Sequence, residues 1–124
     1  MSGSSRDLSI IGHIISYCEQ IERAEERFGK EEAVFLEDEA YHNAVSLCIL
    51  QIGELVGKLT DEFRTDHPGI PWREIKRMRN IVAHKYGTVD HTITWEIVQK
   101  DIPELRQFCA QVLNGAGESG QESI

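Results

Sequence analysis

From Ile11 to Leu113 apolar residues recur at three- and four-residue steps, and no stretch alternates apolar with polar residues as a half-buried strand would. That period confines the chain to helices. Its 124 residues suit one domain with a modest core, expected over residues 1–113 as an all-α, up-and-down bundle of four to five helices. Ile11, Ile14, Cys18, Ile21 and Phe28 mark the apolar stripe of a first helix that begins after a short frayed start with a cap near Asp7 and ends near Gly29. Residues 30–37 read as a connection, and residues 38–64 as one long second helix with a stripe of Val45, Cys48, Ile52, Leu55, Val56, Leu59 and Phe63.

The second helix carries a further face, Leu47, Leu50, Glu54 and Gly57, turned away from that stripe. Apolar residues on two faces in so small a domain point to a partner, with Gly53 and Gly57 permitting its close approach. Glu54 among these neighbours calls for a cation. His67-Pro68-Gly69-Ile70-Pro71 breaks the chain, Pro71 suiting the first position of a third helix striped by Trp72, Ile75, Met78 and Val82. Gly87 is placed to end it and Asp90 to cap a fourth helix that runs to Leu113, which Pro103 should kink or restart near residues 100–102. Residues 114–124 are rich in Gly, Ser and Glu and are expected to form a disordered tail.

No apolar run approaches the roughly 20 residues that cross a bilayer, and no signal-peptide pattern opens the chain, so a cytoplasmic protein without membrane contact is expected. Cys18, Cys48 and Cys109 are odd in number, far apart and set in helical patterns, which suits buried thiols, and no Cys/His cluster has metal-ligand spacing. The net charge of −8 argues against a general polyanion binder. The charge is unevenly placed, however: residues 19–39 hold nine acidic and three basic side chains, whereas residues 72–86 hold five Lys/Arg against the single Glu74. The acidic run is a solvated surface or a surface that steers a basic partner protein.

The basic stretch contains Arg79-Asn80-Ile81-Val82-Ala83-His84-Lys85-Tyr86. An arginine that is always charged and an imidazole that exchanges protons near neutrality could together cleave a phosphodiester without a metal. Ordinary readings remain open beside this one. Arg79 could be a core-edge arginine paired with Glu54, His84 a cation at a helix C-terminus, and Tyr86 a half-buried aromatic. His13, His42, His67 and His91 have no partner spacing and read as structural or exposed. Arg79 and His84 are five residues apart, roughly 140° around an unbroken helix. To share a phosphate, the helix must end at or before His84, or two chains must build the site.

Arg79, Asn80, His84 and Tyr86 match the Arg-polar-x3-His-x-Tyr signature of the HepT-like branch of the HEPN superfamily. The flanks match as well: Ile52-Gly53-Glu54, Ile70-Pro71-Trp72, Val89-Asp90, Trp95 and Asp101-Ile102-Pro103-Glu104-Leu105. Over residues 8–113 the chain thus resembles toxins of toxin–antitoxin pairs that act as RNA endonucleases without metal or other cofactor. The resemblance implies a HEPN-like bundle and a homodimer whose two motif copies line one cleft. His84 would be the acid/base residue, Arg79 the phosphate clamp, and Asn80 and Glu54 supporting residues. It also implies a minimal nucleotidyltransferase antitoxin that transfers AMP to Tyr86. Two other outcomes stay open: a non-catalytic binding module and modification acceptor for such a partner, or a helical scaffold dimer in which Arg79 only salt-bridges Glu54.

Overall fold

A computed structural model describes the backbone of residues 5–84 and 91–122, with side chains in those segments except at 82–84 and 116–122. All described residues in regular structure are helical: α1 (Ser5–Phe28), α2 (Glu32–Glu37), α3 (Glu39–Lys58), α4 (Asp61–Asp66), α5 (Trp72–His84) and α6 (His91–Glu122). The four long helices make the bundle and the two short ones lie in its connections. α1 packs against α3 and α6, and α3 also packs against α5. Ile11, Ile14, Cys18 and Ile21 of α1 close on Val45, Ile49, Ile52 and Val56 of α3 and on Val98, Ile102 and Cys109 of α6. These are the residues that the helical period places on single faces.

α1 ends as its glycine requires. Gly29 has φ +106°, and its N–H donates to the Glu25 carbonyl at 2.9 Å. The connection that follows contains α2, which buries Phe35 beneath Tyr41, Trp95 and a stacked His42–His91 pair. Asp38 then caps α3, its carboxylate accepting from the Tyr41 N–H at 3.1 Å. His42 and His91 are therefore structural, as expected of histidines without partner spacing.

The single long helix expected over residues 38–64 is two helices. α3 stops at Lys58, and Thr60 caps α4 by accepting from the Phe63 N–H at 3.1 Å. The cause lies at the start of the chain. Asp7, expected to be a cap at a frayed start, is buried in α1 and accepts from the Thr60 N–H at 3.0 Å and the Thr60 hydroxyl at 2.8 Å. The amide that would continue the helical ladder is thereby drawn to a carboxylate 53 residues away. Phe63 still reaches the core.

After α4 the chain turns through Pro68 and Gly69. The Trp72 indole N–H, donating to the carbonyls of Arg64 and His67 at 3.2 and 3.0 Å, closes this turn against the start of α5. Pro103 does not restart the last helix: α6 passes through it without a break and continues to Glu122, into the expected tail, although its apolar seam ends at Leu113. The missing proline N–H leaves only the Gln99 carbonyl without its helical donor, and burial of Ile102, Leu105 and Cys109 holds the segment in place. Gly87 and Asp90, expected to end one helix and cap the next, lie outside the described residues. The three cysteines are free and buried, and burial pushes the Cys18 and Cys109 thiols up to about 12. Among the described residues no helix is long and apolar enough to cross a membrane.

α3 and α5 cross at Gly53, which is buried, and a Cβ there would overlap Cβ and Cγ of Arg79. The close approach that Gly53 permits is therefore to α5 of the same chain and not to a partner; Gly57 remains open. Gly53→Ala is expected to destabilise the fold by roughly 1–3 kcal/mol through overpacking, outweighing the gain of about 1 kcal/mol in helix propensity. A urea titration would read this as a lower midpoint. Asp7→Ala should cost about 2 kcal/mol, the scale of hydrogen bonds to a charged acceptor. Thermal melting monitored by circular dichroism checks it.

Candidate RNA-facing cleft

Residues on α5 separate by rotation. Arg79 and Lys76 turn toward α3, whereas Met78 and Ile81 turn toward α6. On the α3 side a cleft of about 260 Å³ is lined by Gly53, Glu54, Gly57, Lys58, Lys76, Arg79 and Asn80. Arg79 sits at its centre because Gly53 leaves room for the base of the side chain. Its Nη2 donates to Glu54 Oε1 at 2.6 Å and its Nη1 to Asn80 Oδ1 at 3.2 Å. Nε is buried and has no hydrogen-bond partner among the described residues.

The Arg79–Glu54 pair is about half open to water, with side-chain exposures of 34% and 51%. A pair that wet contributes at most about 1 kcal/mol to stability. Its effect is directional: carboxylate and amide fix the plane of the guanidinium and leave donors free for a second acceptor. Around it Lys58, Lys76 and Arg79 face one carboxylate, so the cleft is locally cationic in a chain of net charge −8. Lys58 and Lys76 were not singled out by the sequence reading. Their spacing carried the signal, since Lys58 follows Glu54 by four residues and Lys76 precedes Arg79 by three, each on the same face of its helix.

The structure thus brings Arg79, Asn80 and Glu54 together, with Glu54 finding the cation that its sequence position called for. His84 is the last residue of α5 and its backbone is helical; its side chain lies outside the description. A fold-back beginning before His84 is therefore not present, and helical register leaves position 84 roughly 140° from position 79. Lys85 and Tyr86 lie outside the described residues. Along α3 the second face has Leu47 exposed at 56%, Leu50 half-buried, and Glu54 and Gly57 exposed. Among the described residues no group of three or more His, Cys, Asp or Glu could hold a metal ion.

Comparison with known proteins places these residues in context. A family model described as "Ribonuclease HepT-like" matches residues 14–112. A protein named "Putative RNase" from Caldanaerobacter subterraneus subsp. tengcongensis is 37% identical over 102 residues, covering 82% of this chain and 88% of that protein. "Probable ribonuclease HepT" of Thermococcus cleftensis is 40% identical over 72 residues, 58% of this chain and 66% of its own length. A "Gamma-glutamylcyclotransferase and putative RNase" of Methanocaldococcus jannaschii is 38% identical over 109 residues; these make up 87% of this chain but about half, 48%, of that longer protein. No solved structure matches. The match runs from the first helix through the Gly53–Arg79 crossing to the end of the core seam in α6, and the chain belongs to the ribonuclease HepT-like family.

Proposed function

We propose that this chain is a HEPN toxin that cleaves RNA without a metal, at a cleft completed by a second copy. The observation that carries the reading is Arg79 itself. Its guanidinium is oriented by Glu54 and Asn80 in a cleft shared with Lys58 and Lys76, on the helix that ends in His84. A planar cation held in place with donors to spare suits the equatorial oxygens of a phosphodiester and the charge that grows on them in the transition state. His84 supplies the acid/base function. It removes the proton from the ribose 2′-OH as that oxygen attacks the adjacent phosphorus, and the imidazolium so formed returns a proton to the departing 5′-oxygen as the P–O5′ bond breaks. The products are a 2′,3′-cyclic phosphate and a 5′-OH, and DNA, which lacks the nucleophile, is spared.

Two copies meet the geometric demand. Because register separates positions 79 and 84 on one helix, paired chains bring motif residues to a phosphate from both sides. The α3 face with exposed Leu47 and open Gly57 suits that pairing. Tyr86 is the acceptor for AMP from a minimal nucleotidyltransferase antitoxin. The adduct is bulky and anionic and repels RNA phosphates. A second reading, a non-catalytic modification acceptor, is favoured by the Glu54 carboxylate that already occupies part of the Arg79 fork at 2.6 Å.

Purified protein is expected to cleave single-stranded RNA in EDTA. His84→Ala should lower the rate roughly 10²- to 10⁴-fold, the range of general acid–base catalysis, with an unchanged circular dichroism spectrum. Arg79→Lys keeps the charge and loses the fork, and should cost on the order of 10²-fold. Cleavage that persists in His84→Ala or disappears with chelator refutes the mechanism. Intact-mass measurement after incubation with a minimal nucleotidyltransferase and ATP should show AMP addition that Tyr86→Phe abolishes. AMP addition to a chain that never cleaves RNA establishes the second reading instead.

A further inference from the structure

The opposite side of α5 forms a groove with α6 that the nuclease reading does not use. Its floor is apolar: Ile75, Met78 and Ile81 from α5 face Ile93, Ile97 and Leu105 from α6, around a volume of about 450 Å³. The lining runs from Pro71, just before α5, to Ile81 within it, and from Ile93 to Leu105 along α6, some 15–18 Å at the helical rise of about 1.5 Å per residue. That is the length of three helical turns.

The rim of this groove is acidic. Among the described lining residues, Glu74, Asp101 and Glu104 stand against one cation, Arg77, whose guanidinium lies 3.8 Å from Glu74. The Asp101 carboxyl is raised above its usual range by burial and then by the neighbouring Glu104 carboxylate, with Lys100 acting only partly against them. Among the described residues, negative charge is thus concentrated at the edge of an apolar floor and exceeds the positive charge that lines it. Such a surface repels RNA and attracts a cationic partner.

We propose that the α5–α6 groove docks an amphipathic helix of a partner protein, apolar on one face and flanked by Lys or Arg. The floor receives side chains at i, i+3, i+4 and i+7 of the incoming helix, and the three carboxylates receive its flanking cations. A second copy of this chain is a poor occupant. It carries a net charge of −8; of the four cations on its own α5, Lys76 and Arg79 are turned into the α3 cleft and Arg77 lies 3.8 Å from its own Glu74, which leaves Arg73. The assignment is independent of the nuclease reading and stands or falls separately.

The probe is a fluorescein-labelled, amidated peptide with Leu at i, i+3, i+4 and i+7 and Lys between them, titrated with the full chain and followed by anisotropy. The expected result is saturable binding that weakens with added salt. Asp101→Asn with Glu104→Gln should weaken it roughly two- to tenfold, as loss of two partly exposed charge pairs does. Glu31→Gln with Glu32→Gln, an equal charge change at two exposed positions where α2 begins, should leave it unaltered. Ile93→Glu, at a half-buried floor position, should abolish it with helicity retained. No binding, equal binding of a peptide with Glu in place of Lys, or equal loss in both double variants overturns the proposal. So does a change in the sedimenting mass of the peptide-free chain on Asp101→Asn with Glu104→Gln, which would assign the groove to a second copy.

Discussion

The crossing of α3 over α5 at Gly53 and Arg79 is the contact on which the rest of the molecule turns. With no side chain at Gly53, the base of Arg79 occupies the space a Cβ would fill, so the helices approach at the one point where a cation must be held. The carboxylate that receives this cation is the next residue, Glu54. Steric room and electrostatic partner are thus adjacent on one turn of α3. Neither is effective alone, since a half-exposed ion pair adds little stability and a glycine in a helix weakens it. Together they orient a guanidinium that keeps donors for a second acceptor.

α5 consequently carries two chemistries back to back. Lys76 and Arg79 face the α3 cleft, while Ile75, Met78 and Ile81 border the α6 groove. One is a cationic hollow suited to phosphate and the other an apolar channel edged by carboxylates. A net charge of −8 describes neither. Electrostatic selection in this chain is local, a matter of which helical face a residue occupies, because exposed charges farther apart than a Debye length of roughly 8–10 Å are largely screened from one another.

Much of the architecture is local physics and was legible in the chain. The stripe through Ile11, Ile14, Cys18 and Ile21 became core because every member falls on one face at the helical period. Gly29 ended α1 because its backbone adopts φ +106°, which L side chains avoid. Thr60 and the acidic pair Asp61 and Glu62 carried a helix-start signal inside the apolar run, yet the periodicity of Leu59 and Phe63 reads straight through it. The split depends on Asp7, and a carboxylate 53 residues away leaves no trace in a local pattern. Pro103 errs the other way: its local penalty is outweighed by the burial of Ile102, Leu105 and Cys109.

What the amino-acid sequence determined by itself was the helical class, the faces of each helix, the basic character of the third long helix and the ordered motif from Arg79 to Tyr86. All of these are set by residues within a few positions of one another. Only the tertiary structure decided that Gly53 makes room for α5 of its own chain, that Lys58 and Lys76 join Arg79, and that Asp101 and Glu104 edge an apolar channel. The reason is distance. Spacing along a helix fixes the angle at which a side chain leaves it, whereas the meeting of Glu54 with Arg79 depends on how two helices cross in space.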